Sequence, residues 1–207
     1  MGVLLSHSLR NLALIWRQVL AYLAVFAVLG LSMPLFGSQS TGLVGFLLYF
    51  AGQYWLFHAL LKSHGLLQTT RVRFFAFIGL AIALILPIIF GLAVLIVPGL
   101  FLVARWIAAP AFIVAQGQGV FAATESSASA VRGNTASVAG AAVVLFLIVV
   151  AISGVLEAIS KTLGWSDGIG AFDLVEGHLL PLALLGVSTA TYELLGPEDS
   201  TIEEIFG

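Results

Sequence analysis

Long apolar stretches run through this chain, and short polar breaks divide them. The stretch 74–97 contains no charged residue at all. The stretches 19–36, 42–61, 100–116, 138–159 and 169–195 are nearly as apolar. A helix needs roughly 20 mostly apolar residues to cross a bilayer. The pattern therefore predicts an all-α fold, a polytopic transmembrane bundle of about six spans. Ser38, Gln39 and Ser40 mark the turn after the first span. Val97-Pro98-Gly99 reads as a tight turn, because Pro removes a ladder donor and Gly tolerates positive φ. Pro110 and Pro181 fall inside apolar stretches and predict kinks.

Two further segments have a different pattern. In 4–16, Leu5, Leu9, Leu12 and Trp16 recur at helical spacing, with Ser8 and Arg10 off that stripe. This predicts an interfacial amphipathic helix lying along the membrane. The segment 120–135 is small and polar, with Glu125, Ser126, Ser127, Ser129 and Arg132. It is either a second interfacial helix or a helix tucked against the bundle.

Composition supports the membrane reading. Of 207 residues, 60% are hydrophobic and 9% charged. Soluble domains are about 45–50% apolar and about 25% charged. A soluble fold of this length leaves roughly 30% of its unfolded surface exposed and could not hide so much apolar area. The expectation is one integral membrane domain over 1–207. The net charge of -2 gives no reason to expect a nucleic acid partner. Membrane lipids are the expected surroundings, with a protein partner or a second copy within the membrane. The absence of cysteine rules out thiolate chemistry. No His/Asp/Glu spacing suggests a metal, cofactor or catalytic site, so none is expected.

Basic residues predict the orientation. Arg10, Arg17, Lys62, Arg71, Arg73 and Arg132 fall on one side of the six spans, and Lys161 falls on the other. The positive-inside rule places both termini in the cytoplasm. Arg10 and Arg17 before an apolar run also suit a signal peptide, but no clear cleavage site follows, so an uncleaved first span is expected. The acidic stretch 197–207 reads as a solvated tail.

Ionisable residues within spans are costly and are the first functional candidates. Arg105, Glu157, Asp173 and Glu176 are predicted at similar depth in the outer third. Arg105 is expected to pair with Asp173 or Glu176, as a structural ion pair or as part of a polar solute pocket. Gln53 is expected to bond to a neighbouring helix. His58 and Glu193 lie toward the inner side.

Val97-Pro98-Gly99, Arg105-Trp106, Pro110, Gln116-Gly117-Gln118-Gly119, Glu125-Ser126-Ser127 and Arg132-Gly133 together form a pattern. It resembles the bacterial family labelled glycerophosphoryl diester phosphodiesterase membrane domain, and related six-span inner-membrane proteins. Tyr192-Glu193-Leu194 resembles that family's final span. Gln116 departs from the acidic residue usual there. In the enzymes that gave the family its label, catalysis belongs to a separate barrel domain. The resemblance implies a bacterial inner-membrane module without catalysis, acting as a scaffold, accessory subunit or envelope-maintenance protein. The alternative is a small-solute or lipid transporter using the polar cluster.

Overall fold

The computed structural model describes residues 2–36, 38–94, 96–162 and 177–196, and within these it leaves the side chains of 30–43, 92–96 and 160 undescribed. Among the described residues every regular element is a helix. The helices are α1 (Gly2–Leu14), α2 (Trp16–Phe36), α3 (Ser38–Ser63), α4 (Phe74–Val94), α5 (Ile96–Trp106), α6 (Ala109–Gln116), α7 (Val120–Ala130), α8 (Thr135–Thr162) and α9 (Leu179–Leu195).

Four stretches are long and apolar enough to cross a membrane: Val44–Ser63, Phe74–Gly91, Val97–Gln116 and Thr135–Ile159. The α1–α2 pair, bent by 71°, makes a fifth if counted as one span. The bend falls at Ile15, which is buried.

Helix α9 runs through the middle of the bundle. Its Leu182, Leu185 and Tyr192 join one core with residues of α2, α3, α4 and α6. Its Ala183, Val187 and Ala190 join another with Leu4 of α1, Ala104 of α5 and Val138 and Ala141 of α8. A helix covered on both sides needs apolar and small residues all round. Its sequence, LLPLALLGVSTATYELL, supplies them. At Gly186 an added Cβ would lie 3.1 Å from the Ser8 carbonyl oxygen, so glycine is what lets α1 cross α9 closely.

The outer surface is apolar. Ile82, Ile85, Leu86, Ile89 and Phe90 of α4 are exposed, as are Phe146, Leu147, Ile148, Val150 and Ile152 of α8. Soluble monomers rarely expose continuous patches of this kind.

Three expectations are altered by the packing. Leu9 is 59% and Trp16 54% exposed, whereas Ser8 and Asn11 are buried with Leu4. The face docked on the bundle is thus partly polar, and the predicted stripe is split: Leu9 and Trp16 point outward, whereas Leu5 and Leu12 pack against the core. Pro98 and Gly99, expected in a tight turn, belong instead to the first turn of α5, and α4 ends at Val94. Proline costs little there, since first-turn N–H groups have no intrahelical acceptor. Gly99 instead serves packing: a Cβ built on Gly91 would lie 3.0 Å from its Cα. Similarly, Pro181 occupies the first turn of α9, three residues after the helix interruption at His178.

The span expected over 100–116 is broken at Ile107–Ala108, just before Pro110. Proline at 110 cannot donate to the carbonyl of Trp106. Helix α7 repairs the break. The buried Ser127 hydroxyl donates to the Arg105 carbonyl at 2.8 Å and accepts the Ala108 N–H at 3.2 Å. The segment 120–130 is therefore a helix packed against α5 and α6 through Ala123 and Ser127.

Candidate functional site

Three polar arrangements occur within the apolar framework. The first lies between α2, α3 and the start of α9. The Tyr22 hydroxyl is 2.7 Å from Nδ1 of His178, and the Gln53 amide donates to that hydroxyl at 3.1 Å. All three residues are buried. The His178 ring is enclosed by Phe26, Tyr22 and Tyr49, with centroids 3.9, 5.0 and 5.6 Å away. Space for the Tyr22 ring comes from Gly52, where a Cβ would lie 2.5 Å from Tyr22 Cε2.

The second surrounds Glu193 at the end of α9. Its carboxylate accepts from the Asn11 amide at 3.3 Å and lies 3.6 Å from Arg10, 3.5 Å from His7 and 3.6 Å from His64. One acidic side chain thus ties α1 and the end of α3 to α9. Beside it, Gln116 donates to the Tyr192 hydroxyl at 3.1 Å and accepts from Gln118 at 2.6 Å. Gly117 closes α6 with φ of 66°, and its N–H donates to the Ile113 carbonyl.

The third is a half-open cavity of about 270 Å³ between α3, α4, α5, α6 and α9. Its walls are aromatic and aliphatic and include Tyr49, Phe57, Phe77, Trp106 and Leu184. Gln53 and Ser188 are the uncharged hydrogen-bonding side chains on its wall besides Tyr49 and Trp106. Ser188 is 2% exposed, and its hydroxyl has no hydrogen-bond partner among the described residues.

The four ionisable residues expected to cluster have separate surroundings where they are described. Glu157 accepts from Lys161 at 2.7 Å, one turn along α8, and both are exposed. That carboxylate raises the Lys161 pKa, first through the hydrogen bond and then through its charge. The Arg105 guanidinium lies 5.6 Å from the Phe101 ring centre. It borders a groove with Thr124 and Glu125 of α7. Asp173 and Glu176 lie outside the described residues, as does the tail 197–207. Gln53 bonds across helices as expected, and His58 borders a polar groove with Lys62 and Arg71.

The sequence showed Ser127 only as part of a small polar segment and a family pattern, and it gave no role to Tyr22 or Ser188. Each looked like an ordinary member of its segment. Only Ser127 carried a signal, since a serine opposite a proline-broken helix is a ready substitute for the lost backbone partner.

Among the described residues, no group of three or more His, Asp and Glu side chains is placed to hold a metal ion. Comparison with protein-family models, curated proteins and solved structures gives no match. The fold itself defines the class: an all-helical protein with several helices apolar enough to cross a membrane.

Proposed function

We propose that this chain is a six-span bacterial inner-membrane protein that works by association rather than catalysis, as a scaffold, accessory subunit or envelope-maintenance module. Six spans are counted from the four long apolar stretches, α2, and the apolar run 169–195 read from the sequence. The basic residues place both termini in the cytoplasm. The outward Leu9 of α1, with Trp16 at the start of α2, suits α1 to the inner membrane interface. The resemblance to the glycerophosphoryl diester phosphodiesterase membrane domain fits the break-and-repair unit of Arg105, Pro110 and Ser127, whose role here is structural.

The observation that carries the reading is how the polar side chains are used. The Tyr22 hydroxyl bonds to both Gln53 and His178, and Glu193 bonds to Asn11. These contacts join helices. Polar groups spent on helix packing leave the apolar outer faces as the working surface.

Native mass spectrometry after gentle extraction from the source membrane tests this reading. A co-purifying subunit or a defined homo-oligomer is the expected result. A lone protomer that hydrolyses a lipid or a phosphodiester would overturn it. Lipid transport is the second reading, favoured by the half-open apolar cavity. The outer polar cluster supports it less, because Glu157 is occupied by Lys161.

A further inference from the structure

We infer that the cavity between α3, α4, α5, α6 and α9 is a binding site for one hydrocarbon chain bearing a single hydrogen-bonding oxygen. The inference rests on the membrane reading above, because the cavity then opens to lipid rather than to water.

Volume sets the first limit. At ~30 Å³ for each small group, 270 Å³ holds about nine of them. That is a medium-length chain, or the end of a longer one whose remainder stays in the bilayer. The lining sets the second limit. Aromatic and aliphatic walls offer nothing to a charged or strongly hydrated solute.

Ser188 supplies the specificity. A buried hydroxyl ordinarily finds a partner, and a helical serine can bond back to the preceding turn. Thr189, next along α9, does this by donating to the carbonyls of Leu185 and Gly186 at 2.8 and 3.1 Å. Ser188 does not, and it is one of the residues that line the cavity. Gln53 shares that wall, fixed from behind by its bond to Tyr22. A hydroxyl or carbonyl oxygen on an otherwise apolar ligand would offer Ser188 a partner at the wall it shares with the Gln53 carboxamide. A plain alkane would fill the volume and leave the hydroxyl unpaired. Two sources share this chemistry: straight-chain fatty alcohols or acyl groups, and isoprenoid alcohols.

The test uses the full chain in vesicles of saturated phosphatidylcholine. The probe is a decanol carrying a photoactivatable diazirine, and labelled peptides are mapped by mass spectrometry. Labelling at Leu84 and Leu184 on the cavity wall is expected, along with background at the outward Phe90 and Ile148. Unlabelled 1-decanol or geraniol should compete for the wall positions about fivefold better than decane, as one net hydrogen bond implies. The better of the two alcohols identifies the straight-chain or isoprenoid source. Ser188→Ala should remove the preference over decane and leave the protein folded. Ala81→Phe, which fills the cavity, should abolish wall labelling. Labelling confined to Phe90 and Ile148 would overturn the site while leaving the membrane reading intact. Absence of labelling at all four positions would overturn both. Equal competition by decane, or an alcohol preference that survives in Ser188→Ala, would overturn the role of the hydroxyl.

Discussion

The Tyr22 hydroxyl lies 2.7 Å from Nδ1 of His178, which joins two helices whose partners are 156 residues apart in sequence. Gln53 donates to the same oxygen, so one phenol serves α2, α3 and the start of α9. Tyr22→Phe removes that oxygen and leaves the Gln53 amide and a His178 nitrogen without their partner. The expected loss of stability is about 1–3 kcal/mol. Unfolding in detergent measures it. A cycle with His178→Phe should give a coupling of about 0.5–1.5 kcal/mol, and strict additivity would show that the contact carries no stability.

Gly52 is the counterpart of that phenol. With a Cβ only 2.5 Å from Tyr22 Cε2, Gly52→Ala must displace the ring and with it the bond to His178. Overpacking of this kind costs about 1–3 kcal/mol. Gly154 on α8 has nothing among the described residues within 4 Å of its built Cβ, so Gly154→Ala should be neutral or stabilising by up to about 1 kcal/mol. Thermal melts of the two variants side by side check the contrast. Equal effects would mean that Gly52 is not a packing residue.

Ser127→Ala deprives the broken turn of its repair. The Ala108 N–H loses its acceptor in a buried setting, and the Arg105 carbonyl loses a donor in a partly buried one. A loss of about 1–3 kcal/mol is expected, with faster hydrogen exchange at Ala108. Ser126→Ala, at the neighbouring position, should have little effect. Similar exchange in both variants would remove Ser127 from this role.

Glu193→Gln tests how α1 is held. The carboxylate draws Arg10 and Asn11 of α1 to α9, and the amide would lose the charge attraction. Because the Arg10 side chain is largely exposed, the cost should stay below about 1 kcal/mol. The signature is local: protease access and hydrogen exchange should rise in α1 while the transition of the whole bundle shifts little. Unchanged protection of α1 would show that its apolar contacts alone hold it.

The helices were largely legible in the sequence because membrane-length apolar runs have one common reading. The span expected over 138–159 lies within α8, and that over 42–61 lies within α3. Local breaks were less legible. Proline marks where a helix loses a donor, but the chain can turn several residues away. Thus Pro98 sits inside the first turn of α5, and the break before Pro110 depends on Ser127 from another helix. The candidate site was mostly hidden, since Tyr22, Gln53 and His178 belong to three separate apolar segments. Charge proved a poor guide to what is buried: Glu157 is exposed and bonded along its own helix, whereas the uncharged Ser188 is almost wholly enclosed.

The account stands on the apolar outer faces of α4 and α8 being in contact with lipid. The natural chain has no cysteine, so single cysteines can be placed without a background. Leu86→Cys and Ile148→Cys put thiols on those faces, and Ser6→Cys puts one at an exposed position on α1. The measurement is reaction with a charged, water-soluble maleimide in inside-out membrane vesicles. The account predicts rapid labelling at position 6, with positions 86 and 148 unreactive until the membrane is dissolved and the protein denatured. Rapid labelling of positions 86 and 148 in intact vesicles would contradict it.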